Sequence, residues 1–477
     1  MTGQHIGQAD AFGFIALILI IVWHSAHKAT RDQAFLLANR DVGLFPLVAT
    51  LAMTEFNTST LLAFSAVGYT AGPMALALPL VFLIGLGFYT ATVAGAWKRF
   101  DRLSVAELFK ERYSSGLGRF ASLMLLLAMT GFSATYVKSL GLIFQPMVSG
   151  LPFAALTAML TAIVVLVVLP GGLVSVVRSD VVSFLMAIVL IPALLVIGTW
   201  RSAPLGGLGS VFPPDQMTVA PLAQWTHPAL SFWFVTSLIV LTCFTYIAAP
   251  WYGQKMFAAR DPRTAVSAAA IAAVLVFLLY GGMVLAAAHF RVAGPRLEDP
   301  QQVVPMMMVE WLPSVAKGAG LAVLFAIALT TLAGVWSAMA AMAAADFDWP
   351  AARAVRTQRL LVVSFAVASW LGAIFLVDDI LNRLILANVP VAGLAFALLA
   401  GFHWPRATAE GAWASTIVGV GWGAGAFLVV GESGGYTWTW AIYGIPLIFA
   451  TGIGVSLMTP PPAVAARSAA RSPGVAG

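Results

Sequence analysis

Apolar residues form a series of long runs along the chain, separated by short stretches rich in charged residues, proline and glycine. A helix of about 20 apolar residues is long enough to cross the hydrocarbon core of a bilayer. The pattern therefore predicts thirteen membrane-spanning helices, at about residues 10–27, 44–71, 75–97, 120–147, 152–170, 179–200, 229–252, 264–290, 316–345, 357–377, 380–402, 410–431 and 437–458. An odd number of spans places the two termini on opposite sides of the membrane.

Polar residues interrupt the second run. Within it, the segment Ala52–Thr60 carries six polar side chains, and Glu55 is the one acid placed well inside a membrane-length run. A charge at that depth is costly and persists where it faces a polar path or a partner. We interpret the segment as a broken helix whose freed backbone groups line a cavity, which is typical of secondary transporters.

Composition supports a polytopic membrane protein, because 60% of the residues are hydrophobic and only 9% are charged, whereas soluble domains carry about a quarter. The single cysteine, Cys243, excludes a disulfide framework, and the six scattered histidines offer no metal site. The chain has no nucleotide-binding loop or hydrolase motif. We therefore expect neither an enzyme nor an ATP-driven pump, and no cofactor.

The basic residues give an orientation. Nineteen of the 25 Lys and Arg residues fall in one set of alternate connections between spans, and four fall in the other. Cytoplasmic loops carry the excess of positive charge, so the N-terminus is predicted outside and the C-terminus in the cytoplasm, with a bacterial inner membrane as the expected location. This distribution accounts for the net charge of +6 without a nucleic-acid partner.

Several motifs, in the right order along the chain, resemble the sodium:solute symporter family, which includes proline and pantothenate permeases and sodium–sugar cotransporters. Phe35–Leu44 resembles the family's entry to its first core helix, and Gly171–Asp180 resembles the step into the fifth. Gln254–Arg260 is similar to the segment after the sixth, and Gly401–Thr408 to the segment before the eleventh. The resemblance implies an all-α membrane carrier of the leucine-transporter fold, with two five-helix repeats of inverted topology.

The same resemblance implies the domain organisation. Residues 1–43 would hold an outer N-terminal segment, the first span and a cytoplasmic loop. The two repeats would occupy 44–200 and 229–402, separated by an outer loop at 201–228. This loop and the outer loop at 291–315 are expected to form short surface helices. Two additional spans would follow at 403–458, and then a disordered tail at 459–477.

A sodium site is also implied by the resemblance, which is sharpest at Ile327–Leu332. Adjacent hydroxyls on the eighth core helix and carbonyls of the broken first helix would supply the several oxygens that sodium needs. The implied ligands are Met53, Phe56, Ile327, Thr330 and Thr331. A threonine in a membrane helix also commonly bonds its own i−4 carbonyl or joins two helices, and this alternative stays open.

Three charged residues are predicted to act in ion coupling: Glu55, Lys138 and Asp180. Glu55 would bind sodium, a substrate amine or a proton; alternatively it forms an internal ion pair with Lys138. Asp180 resembles an acidic position on the route by which sodium leaves, although a helix N-cap beside Arg178 is the alternative.

The sequence thus predicts sodium-coupled symport of a small polar organic solute, such as an amino acid or a carboxylate, by alternating access within the lipid bilayer. Proton coupling through Glu55 is one alternative, and a membrane sensor acting with a partner signalling protein is another. Polar residues near the two expected helix breaks are predicted to contact the solute, with core packing as the alternative for the tyrosine: Asn57, Thr58, Ser59, Thr60, Thr242, Thr245 and Tyr246.

Overall fold

The computed structural model describes residues 40–462 except 103, 146, 147, 149, 170, 171, 220–229, 348–354, 433 and 434, together with 10, 13, 14, 17 and 18. These residues form helices and short connections, and the only β-type contact among them is an isolated bridge between Val42 and Ala259. The predicted span at 10–27 and the predicted tail at 459–477 lie largely outside the described residues.

The first predicted repeat consists of helices whose bounds follow the apolar runs closely. They are α1 (Leu44–Glu55), α2 (Thr58–Ala71), α3 (Ala77–Thr92), α4 (Ala94–Phe100), α5 (Glu107–Arg112), α6 (Ser115–Phe144), α7 (Phe153–Val168) and α8 (Gly172–Ser202).

The remaining helices contain the second predicted repeat and the C-terminal spans. They are α9 (Phe232–Tyr246), α10 (Pro250–Ala258), α11 (Pro262–Ala293), α12 (Val303–Trp311), α13 (Ala316–Asp346), α14 (Val355–Phe375), α15 (Ile380–Ala387), α16 (Val389–Ala392), α17 (Ala395–His403), α18 (Ala409–Val430) and α19 (Tyr436–Met458).

Eight helices in the described part of the chain are long and apolar enough to span a membrane, or ten if each of two bent pairs is one span. The count of thirteen is therefore not confirmed. Part of the difference arises because α1 and α7 are shorter than a full span and because the predicted first span lies outside the described residues.

Two bends interrupt the second half of the fold. The axes of α9 and α10 differ by 46°, and the helices of 380–403 bend by 45°. At the first bend, the amides of Ala248 and Ala249 donate to the carbonyls of Thr245 and Tyr246, three residues earlier, and Pro250 then starts a new helix. Proline suits a first helical turn because its missing N–H would have no helical partner there.

Helix α13 lies at the centre of the protein, since 94% of its most apolar stretch is buried, against 28% for α18 at the periphery. Close packing of α2 on α11 depends on Gly68, where an added Cβ atom would lie 2.5 Å from the Val284 carbonyl oxygen. Small residues permit such close approach in membrane helices.

The long connections carry short helices, as expected, but they do not all lie on the surface. Three short 3₁₀ helices, Ala203–Leu205, Leu208–Ser210 and Pro214–Met217, contain no buried residues. By contrast, α12 buries most of its apolar side chains, including Trp311. The surface assignment is wrong for α12 because its valine, methionine and tryptophan side chains pack into the protein.

Candidate functional site

Phe56 and Asn57 break the first core helix between α1 and α2, as the polar segment predicted. In a continuous helix the Asn57 amide would donate to the Met53 carbonyl, but it donates to Glu55 O at 2.9 Å. Likewise, the Thr60 amide would donate to the Phe56 carbonyl in a continuous helix, but it donates to Asn57 Oδ1 at 2.8 Å. The break thus deprives the carbonyls of Met53 and Phe56 of their helical partners.

Tyr280 of α11 holds the two sides of this break together. Its hydroxyl donates to the Glu55 carbonyl at 2.5 Å and accepts from the Asn57 amide at 2.9 Å. Its ring packs against Phe56, with centroids 4.8 Å apart. One buried side chain therefore satisfies two backbone groups that the break exposes, as a low-dielectric interior requires.

The Glu55 side chain connects the two interrupted helices. It is 3% exposed, and its carboxylate accepts hydrogen bonds from the Tyr246 hydroxyl and from Trp251 Nε1, the latter at 3.0 Å. Tyr246 ends α9, and Trp251 lies in the first turn of α10. Glu55, at the end of α1, thus accepts hydrogen bonds from residues on both sides of the break between α9 and α10.

Lys138 is not the partner of Glu55. Its ammonium lies 4.8 Å from the centroid of the Phe153 ring, and no ion pair joins it to Glu55 in the described part of the chain. The predicted pair is wrong because Lys138 points from α6 towards α7 while hydroxyl and indole N–H groups satisfy Glu55. Tyr246, predicted to contact the solute or to pack in the core, donates a hydrogen bond to this carboxylate.

A cavity of about 100 Å³ lies between the two breaks. A water needs about 10–15 Å³ by this measure, so the space suits several waters or one small solute. Its polar and ionisable lining comes from both broken helices and from two others: Glu55, Asn57, Thr60, Tyr136, Thr242, Thr245, Tyr246, Trp251 and Asn388. Among the described residues that line it, none is Lys, Arg or His.

Two of the seven predicted solute contacts, Thr58 and Ser59, do not line this cavity. The other five do: Asn57, Thr60, Thr242, Thr245 and Tyr246. Thr245 is of particular interest because its buried hydroxyl has no hydrogen-bond partner among the described residues. Thr58 and Ser59 lie away from the cavity, because successive helical residues point in different directions, and both hydroxyls bond Ser139 Oγ on α6, at 2.7 and 3.1 Å. They join two helices rather than face the space where a solute fits.

The predicted sodium ligands of α1 and α13 lie together. Thr331 Oγ1 donates to the carbonyls of Ile327 at 2.9 Å and Met53 at 3.3 Å, and Thr330 Oγ1 donates to Ile327 O at 3.1 Å. The bonds to the Ile327 carbonyl are those that a threonine commonly makes within its own helix, which was the alternative to sodium binding. The bond to Met53 crosses to the broken helix and reaches a carbonyl that the break has freed.

Asp180 lies inside α8, fully buried, and is not a helix N-cap. Its Oδ2 atom is 2.9 Å from the Lys255 ammonium and accepts a hydrogen bond from the Thr50 hydroxyl. The Lys255 ammonium also donates to the Thr50 carbonyl at 2.9 Å and to the Thr54 hydroxyl. Lys255 is therefore a buried partner of Asp180. It is one of the nineteen basic residues that the span pattern assigned to the cytoplasmic side.

An exposed ion-pair network lies away from this site. The Arg383 guanidinium donates to both carboxylate oxygens of Asp378 at 2.7 Å and lies 3.2 Å from Glu432. These charge-assisted bonds hold the pKa of Asp378 well below its usual range. Because Asp378, Arg383 and Glu432 do not line the cavity, we assign the network no role at this site.

The residues of the site that were not predicted as site residues include Tyr280, Trp251 and Lys255. Lys255 carried a signal, because a lysine in the motif that follows the sixth core helix lies near an apolar run, where an unpaired charge is costly. Tyr280 and Trp251 carried none, since tyrosine and tryptophan are common in membrane helices.

Comparison with known proteins identifies the family and supports the fold. The family model described as "Sodium:solute symporter family" matches residues 35–419. The chain is similar to the sodium/pantothenate symporters of Haemophilus influenzae (25% identity, covering 81% of this chain and 82% of the relative) and Escherichia coli (28%, covering 84% and 87%). In fold it is similar to a Na⁺-coupled sialic acid symporter solved in a substrate-bound outward-open state, with a TM-score of 0.77, 16% identity and coverage of 96% and 99%.

Proposed function

Because the chain belongs to the sodium:solute symporter family, we propose that it carries one small polar organic solute in the cavity between the helix breaks, driven by sodium. The protein is an integral membrane transporter and not an enzyme. Sodium enters down its electrochemical gradient, which contributes about 2.3 kcal/mol per charge for each 100 mV of membrane potential.

The observation that carries the sodium site is the contact between Thr331 Oγ1 and the Met53 carbonyl. It places a hydroxyl of α13 against a carbonyl freed by the break in α1. Neutral oxygens of this kind bind a hard cation weakly enough to release it. We propose that sodium enters between these two groups, with further oxygens from Phe56, Ile327 and Thr330.

The cavity supports a solute that hydrogen-bonds through neutral groups. Asn57, Thr60, Thr242, Thr245 and Asn388 offer amides and hydroxyls, and the unpartnered Thr245 hydroxyl is free for a solute. Pantothenate, named for the two bacterial relatives, is therefore the first solute to test. Because Glu55 is an acid and no cation lines the cavity in the described part of the chain, a carboxylate solute would depend on sodium for its counter-charge.

The role of Glu55 separates sodium coupling from proton coupling. Two donors converge on its two oxygens in the structure, which suits an ionised carboxylate; the Trp251 Nε1–H group can only donate, whereas the Tyr246 hydroxyl could also accept the proton of a protonated Glu55. We therefore favour a Glu55 that stays charged and positions Tyr246 and Trp251 around the cavity. Uptake driven by a proton gradient in sodium-free buffer would instead favour the proton-coupled alternative.

The test is uptake into proteoliposomes after a thermal-shift screen of metabolites, with and without sodium, identifies a solute. We expect stabilisation by the solute to be larger in sodium than in potassium. Thr331→Ala should raise the sodium concentration for half-maximal uptake at least tenfold, whereas Thr130→Ala, which removes an ordinary bond to Leu126 O, should not. Equal uptake on a potassium gradient would show that the sodium assignment is wrong.

A further inference from the structure

The Lys255 ammonium lies inside the protein beside the proposed sodium site. The side chain is 2% exposed and that of Asp180 is 1% exposed. Three oxygens surround Nζ: the Thr50 carbonyl at 2.9 Å, Asp180 Oδ2 at 2.9 Å and the Thr54 hydroxyl. A carbonyl, a carboxylate and a hydroxyl are also the oxygens that bind hard metal cations. The lysine therefore fills a position built like a cation site.

This position adjoins the sodium site on both helices. Thr54 follows Met53 directly on α1, and Met53 O is the carbonyl that Thr331 contacts. On α13, Gly334 lies one turn beyond Thr331, and a Cβ atom added there would be 3.8 Å from Nζ. The ammonium thus lies next to both of the helices, α1 and α13, that hold the proposed sodium ligands.

Asp180 connects the two positions. Its Oδ2 atom binds Lys255, whereas Oδ1 has no hydrogen-bond partner among the described residues although the residue is fully buried. Thr330, whose hydroxyl donates to the Ile327 carbonyl, lies close to the same carboxylate. Buried charges are found paired, because an uncompensated charge is costly in the interior. The Oδ2 atom of Asp180 is thus occupied by the Lys255 ammonium, and the Oδ1 atom is available to an exchangeable cation such as sodium.

We propose that Lys255 is a tethered cation that fills a second cation site, formed by Thr50, Thr54 and Asp180, so that the carrier binds one sodium ion per cycle rather than two. The proposal rests on the sodium site at Thr331 proposed above. It predicts that removing the ammonium opens the second site to sodium, since a buried Asp180 carboxylate then lacks its counter-ion and keeps the same oxygens around it.

The test counts bound sodium. Purified protein is titrated with ²²Na⁺ at constant ionic strength, with choline as the replacing cation, and the unfolding temperature is followed in parallel. We expect one ion per wild-type chain, two per Lys255→Ala chain and one again in Lys255→Ala/Asp180→Asn. Lys255→Arg is the matched control, because it keeps the charge and should bind one.

The unfolding temperature of Lys255→Ala should also rise more steeply with sodium than that of the wild type, because each bound ion stabilises the folded state. A Lys255→Ala chain that folds only when purified in sodium supports the proposal, and one that is unfolded in both salts counts against it. A folded variant that still binds one ion, or a wild type that binds two, overturns it.

The same sodium titration distinguishes failure of the proposed sodium site at Thr331 from failure of the tethered-cation proposal. If Thr331→Ala leaves the sodium affinity of the wild type unchanged, the proposed function is wrong at that site. If Thr331→Ala weakens sodium binding at least tenfold while Lys255→Ala gains no ion, only the tethered-cation proposal fails, and Lys255 and Asp180 form a structural ion pair.

Discussion

Glu55→Gln tests the contact that joins the two broken helices. The carboxylate accepts from Tyr246 and from Trp251, but a glutamine side chain has one acceptor oxygen and an NH₂ group. If the amide oxygen accepts from Trp251 Nε1, the NH₂ group donates to the Tyr246 hydroxyl oxygen, and the Tyr246 hydroxyl proton loses its acceptor. An unsatisfied buried polar group costs about 1–3 kcal/mol, which corresponds to about 5–150-fold in an equilibrium constant.

We expect this cost to lower the free energy of unfolding of Glu55→Gln, and we expect its solute affinity to decrease as well because Glu55, Tyr246 and Trp251 all line the cavity. The assay is equilibrium binding of the identified solute to purified protein in saturating sodium, with the unfolding temperature as the measure of folding. A double-mutant cycle with Tyr246→Phe on the free energy of unfolding should give a coupling energy of about 1.5–3 kcal/mol, the size of a hydrogen bond to a charged group. Additive effects of the two substitutions would refute the assigned contact.

Lys138→Met is the matched control, because Lys138 lies against Phe153 and not against Glu55. We expect the Lys138→Met/Glu55→Gln protein to transport no better than Glu55→Gln alone. Full rescue in the double variant, with unchanged sodium dependence, would mean that Glu55 serves only to neutralise Lys138.

Three further predictions concern packing and topology. Tyr280→Phe removes the bond to the Glu55 carbonyl and should lower the free energy of unfolding by about 0.5–1.5 kcal/mol, measured by chemical denaturation in detergent; an unchanged stability would contradict the bridging role. Gly68→Ala should lower the unfolding temperature because the new Cβ would meet Val284 O, whereas Gly87→Ala, with nothing within 4 Å, should not; equal effects would refute the packing argument. A reporter fused at Gly477 should read as cytoplasmic, and a periplasmic signal there would overturn the predicted orientation.

The sequence by itself determined where the helices lie. The predicted runs at 264–290 and 410–431 correspond to Pro262–Ala293 and Ala409–Val430. Membrane insertion depends on local hydrophobicity, because every backbone group within a span must be satisfied inside its own helix. The break after Glu55 was visible for the same reason, since a run of polar side chains cannot face lipid.

Only the tertiary structure decided which side chains meet. Glu55 and Trp251 are 196 positions apart, and Asp180 and Lys255 are 75 apart. Each such contact depends on the rotation of one helix against another. An amphipathic helix reveals its rotation through an apolar face, but nearly every residue of α13 is buried, so its sequence shows no preferred face.

The same limit explains the errors at Lys138 and Lys255. Both are basic residues near apolar runs, and the sequence offered no means to say which of them turns inward. Packing sends Lys138 to the Phe153 ring and Lys255 to the oxygens around Asp180. A buried ammonium needs several oxygens at once, and those of Thr50, Thr54 and Asp180 come together only when α1, α8 and α10 are packed.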